Sequence, residues 1–253
     1  MFAEERHREI LQKARENGRV DVASLAAELD VTPETVRRDL SVLERVGVVR
    51  RVHGGAIAIE RLGLEPAVAA REARLTAEKA RIGKAAQAEL PDSGAIVLDA
   101  GTTTRQLAEM VPSDVELTVV VNSPQLATIL AHRSNLTVMI LGGRLRGRTM
   151  AAVGEWATAA LATIHVDVAF MATNGISVER GLTTPDPTEA ATKAAMIAAA
   201  RRTVLLADHT KIGNDYFARF GGLDAVDTFI TDTGADSELV DEISEAGPRV
   251  VLA

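Results

Sequence analysis

Residues 31–56 read VTPETVRRDLSVLERVGVVRRVHGGA, and this stretch decides the fold of the first part of the chain. Thr32 can cap a helix N-terminus with its hydroxyl, and Pro33 suits the first helical position because the N–H it lacks would be orphaned there. A helix is therefore predicted from Pro33. Val36, Leu40 and Leu43 recur at helical spacing and, at about 100° per residue, share one face, while Glu34, Arg37, Arg38, Ser41 and Arg45 cluster on the opposite one. One face is patterned for burial and the other carries three guanidinium groups. Gly47 fits the position just past the helix C-terminus, and residues 48–53, VVRRVH, read as a short β-ribbon closed by Gly54-Gly55.

The residues before this stretch extend the pattern. Glu4 to Glu16 carries an apolar stripe of Ile10, Leu11 and Ala14, with Asn17-Gly18 as its stop. Asp21 then caps a second helix to about Leu29, with Val22, Leu25, Ala26 and Leu29 facing inward, and Asp30-Val31 turns tightly into the third. Helix, helix, turn, helix and wing is the winged helix-turn-helix arrangement, in which the third helix enters the DNA major groove.

Composition first argues against that reading and then supports it. The 253 residues carry a net charge of −7, which is unfavourable for a nucleic-acid partner. Residues 1–57, however, hold ten basic and ten acidic residues, so the whole of the acidity lies further on. Arg37 to His53 contains five Arg against Asp39 and Glu44, and phosphate contacts depend on such local charge. Aromatics are only 3%, so stacking on bases or sugars is not expected to dominate recognition. The absence of Cys excludes disulfides, Cys-ligated zinc and thiol catalysis. No apolar run is long enough to span a membrane, and Met1 to Arg8 is charged rather than signal-like, so a soluble cytoplasmic protein without metal or cofactor is expected.

Ile57 to Arg74 is less periodic and contains Gly63 and Pro66, so it reads as a hinge. The expected division is residues 1–57 for DNA binding, 58–75 as linker and 76–253 for effector binding and oligomerisation. Thr76 is expected to cap a helix with Ala80, Ile82, Gly83, Ala86 and Leu90 inward, ended by residues 91–94, PDSG. Beyond it come apolar runs at Ala95–Leu98, Leu117–Val121, Leu136–Leu141, Val166–Met171, Thr203–Ala207, Thr228–Ile230 and Arg249–Leu252, mostly separated by amphipathic segments. That alternation predicts an α/β fold with a mostly parallel sheet covered on both faces, whose ligand site lies outside the strand C-termini.

The residues that leave those strands are polar and glycine-rich. Asp99-Ala100-Gly101-Thr102-Thr103-Thr104 opens a helix, and a close-approach Gly, free N–H groups and hydroxyls together suit an anion, phosphate being the common occupant. A glycine turn with a threonine cap would look the same. The next exits are Asn122-Ser123, Gly142-Gly143-Arg144, Thr173-Asn174-Gly175 and Asp208-His209-Thr210-Lys211. Their convergence on one crevice makes Gly142, Gly143, Asn174 and Asp208 candidates too. Glu189 and Lys193 stand four residues apart on a predicted helix, either as an ordinary exposed ion pair or as ligand groups.

Residues 4–56 resemble, without a gap, the N-terminal domain of the DeoR family of bacterial transcription regulators, through ERHREILQKARENGRV and the combination RRDL, LE, G, R and HGGA. The resemblance implies that Thr35, Arg37, Arg38 and Ser41 meet DNA, with Arg50, Arg51 and His53 on the wing. DAGTTT, VNS, LGG, NGIS, GLTTPDPTEAATKAAM and ADHTKIG follow in the order seen in the effector domain of that family, which is similar in fold to ribose-5-phosphate isomerase and CoA transferases. It implies a sugar phosphate as effector, with Asp99, Gly101, Thr102, Thr103, Thr104, Asn122, Glu189, Lys193 and Lys211 at matching positions. The opening MFAEERHREI also looks like fructose-operon repressors, making fructose 1-phosphate the first ligand to try.

The expectation is a repressor of a carbohydrate-utilisation operon, with no catalytic residues. It would bind operator double-stranded DNA as a homo-oligomer, dimer or tetramer, and lose affinity when effector binds. The main alternative is an aldose-ketose isomerase carrying a DNA-binding domain, for which Asp99, Glu189 or Asp208 would be the base and Lys193 or Lys211 the electrostatic partner. A third reading makes the second half a purely structural oligomerisation module.

Overall fold

The computed structural model describes residues 3–45, 48–52, 54–58 and 67–253, so Gly47, His53, Gly63 and Pro66 lie outside the described residues. The chain divides into two compact units, Met1–Leu64 and Glu65–Ala253.

In the first unit, helix α1 (Ala3–Asn17) is followed by strand β1 (Arg19–Asp21), helices α2 (Val22–Glu28) and α3 (Pro33–Arg45), and strands β2 (Val49–Val52) and β3 (Gly55–Ala58). Both predicted caps form. The Asp21 carboxylate accepts from the N–H groups of Ala23 and Ser24, and the Thr32 hydroxyl accepts from the Thr35 N–H at 3.2 Å. Ile10, Ala14, Leu25, Val36, Leu40, Leu43 and Val49 close into one core. Strand β1 is not legible in the sequence, because three residues show no period. Gly18, at φ +78, turns the chain out of α1 so that β1 pairs antiparallel with β3, giving a three-stranded wing in the order β1-β3-β2. A Cβ on Gly55 would lie 2.0 Å from the Val20 carbonyl oxygen, so that pairing requires glycine.

The second unit opens with α4 (Val68–Glu72) and α5 (Thr76–Ala86), the latter running on into a single turn of 3₁₀-helix at Gln87–Glu89. The segment expected as linker thus contains a helix of the second unit. Thr76 is not a cap: it is the first helical residue, and Leu75 before it is held in the left-handed region at φ +51.

The chain continues as β4 (Ser93–Leu98), α6 (Thr102–Glu109), β5 (Glu116–Val121), α7 (Pro124–Leu130), β6 (Leu136–Ile140), β7 (Arg144–Arg146), β8 (Ala151–Val153) and α8 (Glu155–Leu161). It is completed by β9 (Val166–Met171), β10 (Gly175–Ser177), β11 (Gly181–Thr184), α9 (Pro187–Ala198), β12 (Ala200–Leu206), β13 (Ala218–Gly221), β14 (Thr228–Thr231), α10 (Ser237–Glu245) and β15 (Arg249–Leu252). All seven predicted apolar runs form one sheet, in the order β15-β14-β12-β9-β4-β5-β6, and every pairing in it is parallel. Alternate residues feed two cores. Ile96, Leu98, Val119, Phe170 and Leu206 face Ile82, Leu107 and Leu126 on one side, while Val97, Ala169, Met171, Leu205 and Phe229 face Leu161, Met196 and Ile243 on the other.

Strand order sets the site. From β4 the chain steps outward to β5 and β6, then returns to place β9 on the other flank of β4. In open α/β sheets the loops diverge at such a reversal, which here falls between the carboxyl ends of β4 and β9. A small antiparallel sheet, β10-β11-β13, and the β7-β8 hairpin lie among the loops that the sequence reading left as strand exits.

Candidate functional site

On α3, Arg37 and Arg38 are exposed, as the face pattern predicts. Arg37 pairs with Glu34 at 3.2 Å, one turn away and largely in solvent, and such a pair contributes little that DNA phosphate could not replace. Thr35 is half-buried and shares its hydroxyl with the capping Thr32 at 2.9 Å. Ser41 and Arg51 are turned onto each other. Arg51 Nη1 donates to Ser41 Oγ at 3.0 Å and to the Arg37 carbonyl at 3.2 Å, and the Arg51 N–H donates to Glu44. These contacts fasten the wing to α3. Arg50, next along the strand, is half-buried and directed to the other face by strand alternation.

Asp39 does not belong to the exposed charge of this helix. It is 4% exposed and accepts from Arg6 Nε at 2.5 Å and Nη2 at 3.0 Å, with His7 Nε2 at 2.9 Å. Burial alone would push its carboxyl up, but the hydrogen bonds and charges of Arg6 and His7 outweigh that and hold it below the usual carboxylate range. The carboxylate is therefore spent on joining α3 to α1, and the outer face of α3 is more cationic than its sequence suggests.

At the switch point in the second unit, Asn122, just after β5, uses its Oδ1 to accept from the Ala100 N–H at 2.7 Å, fixing the turn after β4. Asp99 accepts from the Ala172 N–H at 3.1 Å, bridging the β4 and β9 ends across the switch point. Lys193 on α9 ion-pairs with the same carboxylate and donates to the Ala172 carbonyl at 2.9 Å. Its ammonium also lies 3.8 Å from Glu189 and 5.4 Å from the centroid of the Phe220 ring. Lys193, Glu189 and Asp99 are 2%, 2% and 1% exposed, which overturns the exposed-pair reading of Glu189 and Lys193.

Sequence reasoning missed two further members of this network. Arg146 Nη1 meets Glu189 at 2.6 Å and its Nε meets Asp186, the capping residue of α9, at 3.2 Å, while the Thr149 hydroxyl donates to Glu189 at 3.1 Å. Both lie in the β7-β8 hairpin, whose polar sequence gave no sign that it folds back over α9.

The hydroxyls after β4 are divided between structure and site. Thr104 Oγ1 donates to the carbonyls of Asp99 and Gly101, whereas Thr102 and Thr103 begin α6 with no side-chain cap on its first turn. A Cβ on Gly101 would lie 2.8 Å from that of Ala172, so the turn can press on β9 only as glycine. Gly142 and Gly143 are exposed; Gly143, at φ +143, turns the chain into β7 and a Cβ there would meet the Val153 backbone. Asn174 accepts from the Thr184 hydroxyl at 2.9 Å, bracing the loop after β9.

A second charged group forms after β12. The buried Asp208 accepts from the Thr210 N–H at 3.1 Å and from its hydroxyl. Burial pushes this carboxyl up, but Lys211, Thr210, Lys79 and His209 hold it below its ordinary value. Lys79 was also missed, although it sits at the start of the stripe Lys79, Ile82, Gly83, Ala86 and so lies on the buried face of α5. Its ammonium donates to the carbonyls of Arg71 at 2.5 Å and Arg74 at 2.6 Å, and burial draws its pKa down to about 8.

Two protein-family models match the chain: the DeoR-like helix-turn-helix domain over residues 6–61 and the DeoR C terminal sensor domain over residues 74–233. The chain belongs to the DeoR family. The HTH-type transcriptional regulator GlpR of Haloferax volcanii is 38% identical, over 99% of this chain and 98% of that protein. The HTH-type transcriptional repressor GlcR of Bacillus subtilis is 30% identical, over 100% of the chain and 97% of that protein. Among solved structures, ribose 5-phosphate isomerase A from Methanocaldococcus jannaschii is similar to 53% of this DeoR-family chain over 53% of its own, at 14% identity and a TM-score of 0.40. The relatives are named regulators and repressors, and this member is a DNA-binding transcriptional regulator with a sensor domain rather than an isomerase. Among the described residues no helix is long and apolar enough to cross a membrane.

Proposed function

We propose that this regulator is a repressor of a carbohydrate-utilisation operon whose operator affinity is controlled by a phosphorylated sugar bound in the second unit. The observation that carries this reading is the β4/β9 switch point, where buried Asp99, Asn122, Glu189 and Lys193 form one network just ahead of the uncapped first turn of α6 at Thr102–Thr104. Carboxylates and amides of that kind orient sugar hydroxyls, and free N–H groups at a helix start suit a phosphoryl group. Arg37, Arg38 and Arg50 face the operator in this reading, while Ser41 and Arg51 hold the wing at its angle. Two or more copies in the cytoplasm present paired heads to repeated half-sites. Effector must prefer one arrangement of those heads, since a ligand with equal affinity for both states shifts nothing.

The test is titration of fructose 1-phosphate and a panel of other sugar phosphates against a protein–operator complex at fixed salt. Release by one of them at low concentration is expected. No change with any of them would refute the inducer model.

A further inference from the structure

We infer that the free edge of the sheet at β6, together with the start of α8, is a self-association face that takes the same face of a second copy of this chain. On one side of β6, Leu136 and Val138 pack with Leu126 and Leu130 of α7. On the other side Met139 stands beside the buried Val120 of β5, yet the core that holds Val120 reaches only to Leu141, Ala157 and Leu161 here. Met139 is left 51% exposed. Parallel sheets are ordinarily covered on both faces, and this chain supplies no cover for one face of its last strand.

The gap belongs to a larger apolar patch. Ile140 and Leu145 are exposed, and Trp156, on the first turn of α8, is 79% exposed. A Cβ on Gly142 would lie 4.0 Å from the Trp156 ring, so the indole reaches the chain just after β6. With Met139 these side chains present roughly 500 Å², at the upper end of what a monomer shows and enough for the apolar centre of a face of ~800 Å² per partner.

Three observations select a second copy as the occupant. No strand lies beyond β6 in its sheet, and a row of outer N–H and C=O groups is matched by another strand. Residues 136–140, LTVMI, hold none of the charges or prolines that keep free edges apart, whereas the opposite edge strand β15 opens with Arg249 ion-paired to Glu89. Arg144 and Glu155, next in sequence to Leu145 and Trp156, are exposed, opposite in sign and not ion-paired among the described residues. A twofold contact sets residue i against j and j against i, so a face carrying one Arg and one Glu is complementary to itself. The two β6 edges then meet antiparallel about that axis. This face gives the paired copies of the repressor reading their contact, and rests on that reading only for its use at repeated half-sites.

The experiment is sedimentation velocity of the full chain over a concentration series, without DNA or sugar phosphate. It compares the parent with Trp156→Glu, Arg144→Glu, Glu155→Arg, the double variant Arg144→Glu/Glu155→Arg and Leu252→Glu. The parent is expected to self-associate. Trp156→Glu should weaken one association step by about tenfold or more, and each single charge reversal by less. The double reversal should return toward the parent, because each copy again offers both signs. Leu252→Glu, exposed on the opposite edge strand, should match the parent. Association of Trp156→Glu within twofold of the parent overturns the face, including where that variant loses stability because another part of the same chain covers the patch. Equal weakening by Leu252→Glu also overturns it. If Trp156→Glu does not fold, the charge cycle carries the test, and a double reversal no better than the single ones overturns the face. A parent that is monomeric throughout removes both this face and the paired heads, whereas an oligomeric parent indifferent to Trp156→Glu removes this face alone.

Discussion

Lys193 and Asp99, 94 positions apart in sequence, form a buried ion pair that ties α9 to the carboxyl end of β4. The same Asp99 carboxylate accepts from Ala172 of the neighbouring β9 loop, so one side chain holds three elements at the switch point. Lys193→Met leaves that carboxylate buried and without its cation, and should destabilise the second unit by about 3 to 5 kcal/mol. Lys193→Met combined with Asp99→Asn should recover part of the loss, because no bare charge then remains. Urea unfolding of the four proteins of this cycle decides it: a single-variant loss below about 1 kcal/mol would mean the pair contributes little to the fold.

The pair also marks where the sequence stops being legible. The four-residue spacing of Glu189 and Lys193 was visible, but their burial was not, since an Ala-rich helix has no strongly polar face to show which side is outward. The buried stripe of α9 in fact runs Glu189, Thr192, Lys193, Met196. All seven sheet strands were readable because each is a largely apolar run, although only the inner five are mostly buried and the edge strands β6 and β15 are partly exposed. Six shorter or more polar strands, β1, β7, β8, β10, β11 and β13, were not, because three or four residues without a continuous apolar run show no period. Arg146 escaped for another reason: its partner Glu189 lies 43 positions away, and only the return of the β7-β8 hairpin brings them together. The Thr76 cap failed because a left-handed Leu75 occupies the cap position.

In the first unit, Asp39 makes stability depend on acid. Its folded pKa is depressed, so the contribution of the Arg6–Asp39 contact is present above the ordinary aspartate value of about 4 and is lost as pH falls through the lower folded value. Arg6→Ala should cost about 2 kcal/mol at neutral pH and flatten the fall below pH ~4. Thermal unfolding of residues 1–58 within the full chain, followed by a probe on α3, reports both effects. An unchanged acid limb in Arg6→Ala would assign the dependence to another carboxylate.

For DNA, the structure separates Arg37 and Arg38 from Arg51. Arg38→Ala should weaken operator binding and leave head stability within about 0.5 kcal/mol, because the side chain is exposed. If it reads a base the loss is about 1 to 3 kcal/mol with relaxed sequence preference, and if it meets phosphate all sequences weaken alike and the salt slope falls by about one. Arg51→Ala should instead lower stability by about 1 kcal/mol, since it removes the contacts to Ser41 and the Arg37 carbonyl that seat the wing. Operator titrations at several salt concentrations, beside unfolding curves, distinguish the two. Equal stability loss from Arg38→Ala and Arg51→Ala would mean that the wing is not held this way.

Lys79 gives the second unit the opposite pH signature. Burial draws its pKa to about 8 from an ordinary 10.5, with Asp208 opposing and Lys211, Arg71 and Arg74 adding to the shift. Between those two values the unfolded chain binds more protons than the folded one, so stability rises with pH across that window. Below about pH 8 the cost of burying the ammonium is fully present. Lys79→Met has no such proton, and the difference between parent and variant unfolding free energies should therefore climb in the parent's favour from pH 8 to 10.5. Urea unfolding across this range measures it. A parent-minus-variant difference that stays flat with pH would show that the Lys79 ammonium is not penalised by burial.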